Sequence, residues 1–484
     1  MALILDVECY RNYFLICFLD LERNKVASFE MYDGKDLAVP RVSKLMKDHT
    51  TISFNGNGYD LIMIEAALQN RNCSELKDLS DEIIKSNLPS WKVAANADVR
   101  VPRTWDHIDI IDVIPGQASL KVYAGRIGYK KLQDLPIEPD AMIAPDQREV
   151  LKKYCINDLR VTEALYRKVE KQIALRSDMG AEYGVDLRSK SDAQIAETVL
   201  KHKIEDVSGK TPKPPKIADD ATYRYLDPKI IAFEDADLEY SFKAILKHDF
   251  ELAGNGSIKL PDWLKDTKIK IGESEYRMGI GGLHSCEKSQ SVVAGDTHIL
   301  ADFDVASYYP SIILQQKIAP DSMGTTFSDV YKSIVETRIA AKRAGDKVTA
   351  DTLKIVVNGS FGKLGSKYSA LYAPNLLIQT TITGQLALLM LIERVEAIGA
   401  KVVSANTDGI VVFAPKTLED DLEQVMFDWE LDTSYELERS DYRALHSRDV
   451  NNYLAVKHDG SVKRKGAFAQ GGLMKNPQFE IVSD

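Results

Sequence analysis

Three prolines fall within the seven residues Lys210–Lys216, K-T-P-K-P-P-K, and such a segment can continue neither a helix nor a central strand. It must be a loop. Before it, short apolar segments alternate with helical ones. Ala2–Cys9 and Tyr13–Asp20 read as a strand and its hairpin partner, Thr51–Asn55 as a further strand, and Leu61–Leu68 as a helix. Gln147–Arg176 reads as a long amphipathic helix, with Val150, Tyr154, Leu159, Val161, Leu165 and Val169 among its apolar positions. This is an α/β unit ending near residue 180. Residues 190–290 mix short helical and strand patterns, and Gly281–Gly282 reads as part of a linker. From about residue 292 the pattern changes. Ile299–Asp304 is strand-like. Val330–Ala344 is a basic helix ended by Gly345-Asp346, and Ala350–Phe361 completes a helical hairpin. Thr380–Glu396 is another long helix. Lys401–Ser404 and Ile410–Phe413 flank the turn Ala405-Asn406-Thr407-Asp408-Gly409, which is the pattern of a β-hairpin.

A length of 484 residues suits about three domains. With 44% hydrophobic and 28% charged residues, the chain has enough apolar side chain for several cores, so collagen-like, mucin-like and disordered readings are excluded. A net charge of −10 rules out a general basic coat for nucleic acid but leaves room for a local basic groove. The five cysteines are odd in number, widely spaced and without a C-x-x-C, which argues against a disulfide framework or zinc site and suits a reducing cytosol. No uninterrupted apolar run is longer than that at Leu386–Ile392, whereas a membrane span needs about 20 residues. The N-terminus carries acids where a signal peptide needs a basic end. The expectation is a soluble, cytoplasmic protein with no membrane partner.

Asp6 and Glu8 are two apart on a strand, so both project from one face. Asp60 opens a helix, where Asp is commonly a cap. Tyr154 and Asp158 are four apart on a helix and share its face. Singly, each is an ordinary solvated or capping residue. In order they read Asp6-x-Glu8, Asn55-x-x-x-Tyr59-Asp60 and Tyr154-x-x-x-Asp158, a set that resembles the three exonuclease motifs of the DEDD superfamily in its tyrosine variant. The resemblance implies an RNase H-like fold over residues 1–185. It implies that Asp6, Glu8, Asp60 and Asp158 bind two metal ions, and about −4 of charge suits two divalent cations. It further implies that Tyr154 orients the attacking water and that Asn55 and Tyr59 lie near the 3′-terminal nucleotide. Lys130 or Lys131 could neutralise phosphate.

A second set follows: Asp304-Val305-Ala-Ser307-Tyr308-Tyr309-Pro310-Ser311-Ile-Ile, then Lys354-x-x-x-Asn358-Gly359-Ser360-Phe361-Gly362-Lys363, then Asn406-Thr407-Asp408-Gly409. Asp304 ends an apolar strand and Asp408 sits in a hairpin turn, so both can be presented at an edge and hold Mg²⁺. Lys354, Asn358 and Phe361 share one helix face, offering a cation, an amide and an aromatic plane. These blocks resemble motifs A, B and C of family B DNA polymerases, especially the compact phage enzymes. With the exonuclease motifs before them, the resemblance covers nearly the whole chain. It implies a right-hand polymerase: an intervening region at 186–290, a palm of antiparallel sheet at 291–327 and 364–484, and helical-hairpin fingers at 328–363. It implies two Mg²⁺ per site, with Mn²⁺ as a substitute, held by Asp304, Asp408 and the Val305 carbonyl. Arg338, Lys342 and Lys354 would hold the triphosphate, and Tyr309 would be the steric gate against a 2′-hydroxyl. Tyr308 stands where the family has Leu and reads as packing. The basic tail, Lys463-Arg464-Lys465 and Lys475, resembles the region that tracks primer phosphates, with Lys463 and Lys465 as DNA contacts. Primer–template DNA, dNTPs and other phage replication proteins are the implied partners of a monomer.

The chain departs from that pattern at several points. Asn406 stands where the family has Asp, Gly409 where Ser is common, and Asn451-Asn452-Tyr453 lacks the lysine of a K-x-Y element. Met278-Gly279-Ile280-Gly281-Gly282 keeps only the glycines of Y-x-G-G. No helical bundle for a thumb is legible after the basic stretch, so a weak hold on duplex is expected. The short spacing between the second and third polymerase blocks leaves little room for the insertion of protein-primed relatives. Two other readings stay open: an exonuclease with a crippled polymerase half, and a non-catalytic DNA-binding replisome component.

Overall fold

A computed structural model describes residues 2–469 and Leu473, apart from Gln117 and Asp219, and the backbone alone of Val348. Lys475 lies outside the described residues. The chain divides into two compact units, one built from Met1–Ser191 and one from Asp192–Gln470.

In the first unit a mixed sheet has the order β3-β2-β1-β4-β5. β1 (Ala2–Tyr10), β2 (Tyr13–Asp20) and β3 (Lys25–Tyr32) form an antiparallel meander, and the hairpin read from the sequence closes at Tyr10↔Tyr13. After α1 (Val39–Asp48), β4 (Thr50–Ser53) pairs parallel with β1. Then come α2 (Asp60–Leu68), α3 (Cys73–Lys85) and α4 (Ser90–Asn96), followed by β5 (His107–Asp109), which pairs parallel with β4. α5 (Leu120–Arg126) and the 36-residue α6 (Arg148–Tyr183) complete the unit. Strand alternation sorts β1 between two cores. Leu3, Leu5 and Val7 join the core that holds Val42, Ile62 and Leu76 of α1–α3. Ile4 and Tyr10 join the other, with Tyr123 of α5 and Leu151, Cys155 and Leu159 of α6. Asp6 and Glu8 have the parity of Ile4, so they stand on the α6 side.

The second unit begins with α7 (Asp192–Ser208), then β6 (Thr222–Arg224), α8 (Ala236–Lys247), β7 (Asp249–Glu251) and α9 (Asp262–Lys265). β8 (Ile269–Ile271), β9 (Ser274–Met278), β10 (Leu283–Ser285), β11 (Gln290–Val293) and β12 (His298–Val305) follow. Next are α10 (Tyr308–Gln316), α11 (Thr326–Ala344), α12 (Lys347–Phe361) and α13 (Pro374–Ala397). The chain continues through β13 (Lys401–Asn406), β14 (Gly409–Pro415), α14 (Glu419–Thr433), β15 (Leu437–Asp449), β16 (Asn452–Lys457) and β17 (Val462–Lys465). Its large sheet has the order β17-β16-β15-β12-β14-β13-β10-β9-β8, with β11 against β15, and every recorded pairing in it is antiparallel.

Gly281-Gly282, read from the sequence as linker, instead closes the β9–β10 hairpin inside this sheet. The reason is steric: Gly282 has φ +144, and a Cβ there would stand 2.9 Å from Thr407 Cγ2. α11 and α12 form the expected helical hairpin. Gly345, at φ +74, caps α11, and the Asp346 side chain accepts from Thr349 N–H to start α12. Among the described residues α13 alone is long and apolar enough to cross a membrane, yet its most apolar window is 94% buried, so it is a core helix of this unit.

Candidate active sites

The first acid cluster lies beyond the carboxyl ends of the parallel strands β4 and β5, where open α/β sheets leave a crevice. β1 supplies Asp6 and Glu8, α6 supplies Asp158, and Asp60 enters as the first residue of α2. Asp60 is not the helix cap, which is Tyr59, and it is only 5% exposed. The acids disfavour one another's charge. Asp6 is raised well above the usual carboxylate range by burial, then by Asp60, Glu8 and Asp158. Glu8 is raised by burial and then by Asp158. Asp60 is pushed up to about 7 by burial and by Asp109. Burial also raises Asp158, against the pull of a hydrogen bond from the Tyr154 hydroxyl and of nearby Lys121. Lys121 lies 5.9 Å over the Tyr154 ring and is the lysine that bears on Glu8 as well. Lys131, by contrast, is exposed on the irregular segment between α5 and α6. The Cys155 thiol adds a further donor atom, within 4.8 Å of the Asp6 and Glu8 carboxylates. Asp6 and Glu8 bring carboxylate oxygens within 4.8 Å of each other, and Asp60 and Asp158 act on them electrostatically, a set that fits hard divalent cations such as Mg²⁺ or Mn²⁺. Asp6, Glu8, Asp60 and Asp158 would hold them.

The loop that delivers Asp60 is pinned by Asp109, an acid that sequence reasoning missed. Asp109 is 1% exposed at the end of β5 and accepts the backbone N–H groups of Asn55 at 2.8 Å and Asn57 at 2.9 Å. Asn55 itself is left-handed, φ +67, which stops β4 short of the expected boundary. Tyr59 turns its hydroxyl to Ser80 Oγ at 2.7 Å.

These shifts predict a pH dependence. A carboxylate whose folded pKa stands above its unfolded value binds protons more tightly when folded, so its stabilisation is full at low pH and is lost as pH rises through that window. For Asp60 the window runs from 3.8 to about 7. The metal-free chain should therefore lose thermal stability as pH rises across that range. Millimolar Mg²⁺ should raise the melting temperature more at about pH 8 than at about pH 5, because bound ligand stabilises the native state and these sites are ionised only at the higher pH. Melts with EDTA and with Mg²⁺ measure this, and an equal Mg²⁺ effect at both pH values would contradict it.

In the second unit, Asp304 is the last residue but one of β12 and pairs with Gly409, and Asp408 sits in the two-residue turn between β13 and β14. The Val305 N–H donates to the Asp408 carbonyl at 2.7 Å and ties the two together. Asp304 is pushed up to about 6 by burial and Asp302, and Asp408 is raised by burial against the pull of Lys465. Gly409 is required by this closeness. A Cβ there would meet Asp304 Oδ1 and lie 2.8 Å from the Phe303 carbonyl. Gly409→Ala should displace the Asp304 carboxylate and cost about 1–3 kcal/mol by overpacking. A melt together with a primer-extension rate measures it, and unchanged values for both would contradict this packing.

Asp408 borders two cavities, and Asp304 lines the second of them. One, about 320 Å³, is lined by Val305, Tyr309, Arg338, Lys354, Asn358 and Phe361 among others, with Asp408 at its edge. The Arg338 guanidinium donates to Ser307 Oγ at 3.0 Å. Lys342 does not line this cavity and instead lies exposed, 3.9 Å from Glu438. Tyr308 is buried, with its hydroxyl on the Gly384 carbonyl at 2.6 Å, which makes it a packing residue. The other cavity holds Asp302, Asp304, Asn406, Asp408, Lys463 and Lys465. Lys463, expected as a free phosphate contact, has its ammonium 3.0 Å from Asp302 and 3.8 Å from Asp304. Asp302, 5% exposed, also accepts from the Tyr442 hydroxyl. Asn406 donates from Nδ2 to the Val450 carbonyl at 3.1 Å, a bond that a carboxylate could not make. The acids again offer oxygen ligands that fit a hard divalent ion, and Asp304 and Asp408 would hold it.

No protein-family model matches the chain. Two curated relatives do, and both are DNA polymerases. A protein named DNA polymerase from Archaeoglobus fulgidus is 22% identical over 313 residues, covering 55% of this chain and 39% of that protein. DNA polymerase 1 of Sulfolobus acidocaldarius is 27% identical over 140 residues, 27% of this chain and 15% of its own length. The chain thus spans well under half the length of either relative it matches. Among solved structures, the family B DNA polymerase from the hyperthermophilic archaeon Pyrobaculum calidifontis aligns with 96% of this chain and 60% of its own, at a TM-score of 0.48 and 14% identity.

Three residues beside the sites escaped the sequence reading: Asp109, Lys121 and Asp302. Asp302 left a local signal. It alternates with Asp304 on one strand face, as Asp6 does with Glu8. The others are brought in from distant segments and leave none.

Proposed function

We propose that the second unit is the catalytic body of a DNA-templated DNA polymerase and that the first is a 3′→5′ proofreading exonuclease. The observation that carries the polymerase reading is Asp408 at the rim of a cavity walled by Tyr309, Arg338, Lys354, Asn358 and Phe361, with Asp304 beside it in the adjoining cavity. Two carboxylates next to two cations and two aromatic rings suit a nucleoside triphosphate meeting a primer end. The distant relatives, named DNA polymerases, favour the same reaction. Divalent ions, Mg²⁺ in the first instance, would supply an activated 3′-oxygen and neutralise the leaving pyrophosphate. The chain's own groups bind and orient. Arg338 and Lys354 hold triphosphate oxygens, Asn358 and Phe361 meet the nucleotide, and the Tyr309 ring excludes a 2′-hydroxyl. Lys463 and Lys465, on one face of β17, set positive charge beside Asp304 and Asp408, where the primer end would arrive. Lys342 remains as a peripheral phosphate contact.

The exonuclease reading rests on the mutual repulsion of Asp6, Glu8, Asp60 and Asp158. Tyr154, bonded to Asp158, would orient water. Asn55, Tyr59 and Lys131 would meet the strand end. We place the enzyme in phage DNA replication in a bacterial cytoplasm, acting as a monomer on primer–template DNA.

Extension of a 5′-labelled primer with one dNTP withheld tests templated synthesis. Products should stop one base before the first template position that calls for the missing nucleotide. Products that ignore the template, or none at all, would sink the polymerase reading.

A further inference from the structure

Tyr309 projects its hydroxyl away from α10 to the turn between β9 and β10, where it donates to the Gly281 carbonyl at 2.6 Å. The ring lies against Phe361, with centroids 4.3 Å apart at 30°. It is therefore held at its tip by a hydrogen bond and along its body by a ring contact.

The turn that receives the hydroxyl is itself braced. Gly279 N–H donates to Gln385 Oε1 at 2.8 Å, and Gln385 Nε2 donates back to the Gly279 carbonyl at 3.0 Å. Gln385 is 2% exposed on α13, and its Nε2 also donates to the Thr381 carbonyl at 2.9 Å. On its other flank the turn meets the catalytic hairpin: Thr407 N–H donates to the Leu283 carbonyl at 2.8 Å. One short glycine turn therefore contacts both the Tyr309 hydroxyl and the turn that carries Asp408.

We propose that the β9–β10 turn sets sugar discrimination: the Gly281 carbonyl, braced by Gln385, fixes the Tyr309 ring where it rejects a 2′-hydroxyl. The inference rests on the polymerase reading above, with Tyr309 at the nucleotide sugar. A ring that merely occupied space could swing about two side-chain torsions and let a ribose in. The hydroxyl bond removes that freedom. Gly281 and Gln385 act through Tyr309 and are positioning residues.

The test compares kcat/KM for a dNTP and the matching rNTP on one primer–template, in the unaltered chain and in Tyr309→Phe and Gln385→Met. Tyr309→Phe keeps the ring and removes only the hydroxyl. Its dNTP-over-rNTP ratio should fall by roughly tenfold, the worth of one hydrogen bond, mainly through a lower KM for the rNTP. Gln385→Met frees the turn without touching substrate, and its ratio should fall by about threefold, a part of that same bond. Thermal melts establish that each variant is folded, and if one is not, the other decides. A folded variant that keeps the unaltered ratio overturns the proposal. An unaltered chain that adds neither nucleotide overturns the polymerase reading itself, which is a different failure.

Discussion

Asp408→Asn should abolish primer extension while leaving strand shortening intact. Asn has the size of Asp, and its residue sits in a solvent-accessible turn, so the β13–β14 hairpin should form as before. What is lost is one of two carboxylates facing the same edge. Asp304 would then face a neutral amide, while Lys463 and Lys465 remain close by. The site would lose one of its negative charges, and a divalent ion would be poorly held. Metal-assisted stabilisation of a phosphoryl transition state is worth several kcal/mol, so the extension rate should drop by at least about a thousandfold. On the proposed assignment, shortening of a labelled strand depends on Asp6, Glu8, Asp60 and Asp158 and should keep its rate. A quantitative gel of both reactions on one preparation measures this. An equal loss of both activities in a folded variant would mean that the two sites are not separate.

Asp6→Ala should do the reverse, with a loss of shortening of at least about a thousandfold on the same metal-assisted grounds and little change in extension. It carries a second expected result. Burial and three neighbouring acids all penalise the ionised form of Asp6. Removing it relieves that penalty in the metal-free protein, so the variant should melt higher than the unaltered chain near neutral pH in EDTA. The difference should shrink at acid pH, where the carboxylates are protonated in both proteins. A functional site held at the expense of stability behaves in this way, and an ordinary surface acid does not. A melting temperature that falls at neutral pH would show that Asp6 is structural.

Local periodicity made much of this legible. Two-residue alternation on β1 put Asp6 and Glu8 on one face, and four-residue spacing on α6 put Tyr154 beside Asp158. The Asn406–Gly409 turn between two apolar runs gave the hairpin that carries Asp408. Gly345-Asp346 marked the break between α11 and α12, because each residue caps a helix there. What stayed hidden depends on contacts remote in sequence. Asp109 reaches back more than fifty positions to hold Asn55 and Asn57. Lys463 looked like a free cation in a basic run, and only the order β17-β16-β15-β12 carries it to Asp302. Gly281-Gly282 looked like linker because glycines carry no periodic pattern, whereas close approach to Thr407 is what demands Gly282. The departure at Asn406 also acquires a physical reason, since its amide serves the Val450 carbonyl.

The most direct measurement of the central claim uses the unaltered chain on a 5′-labelled primer–template with Mg²⁺, with and without dNTPs. Two working sites predict a longer labelled strand when dNTPs are present and a shorter one when they are absent. Shortening in both lanes would contradict the polymerase half, and an unchanged strand in both would contradict the account as a whole.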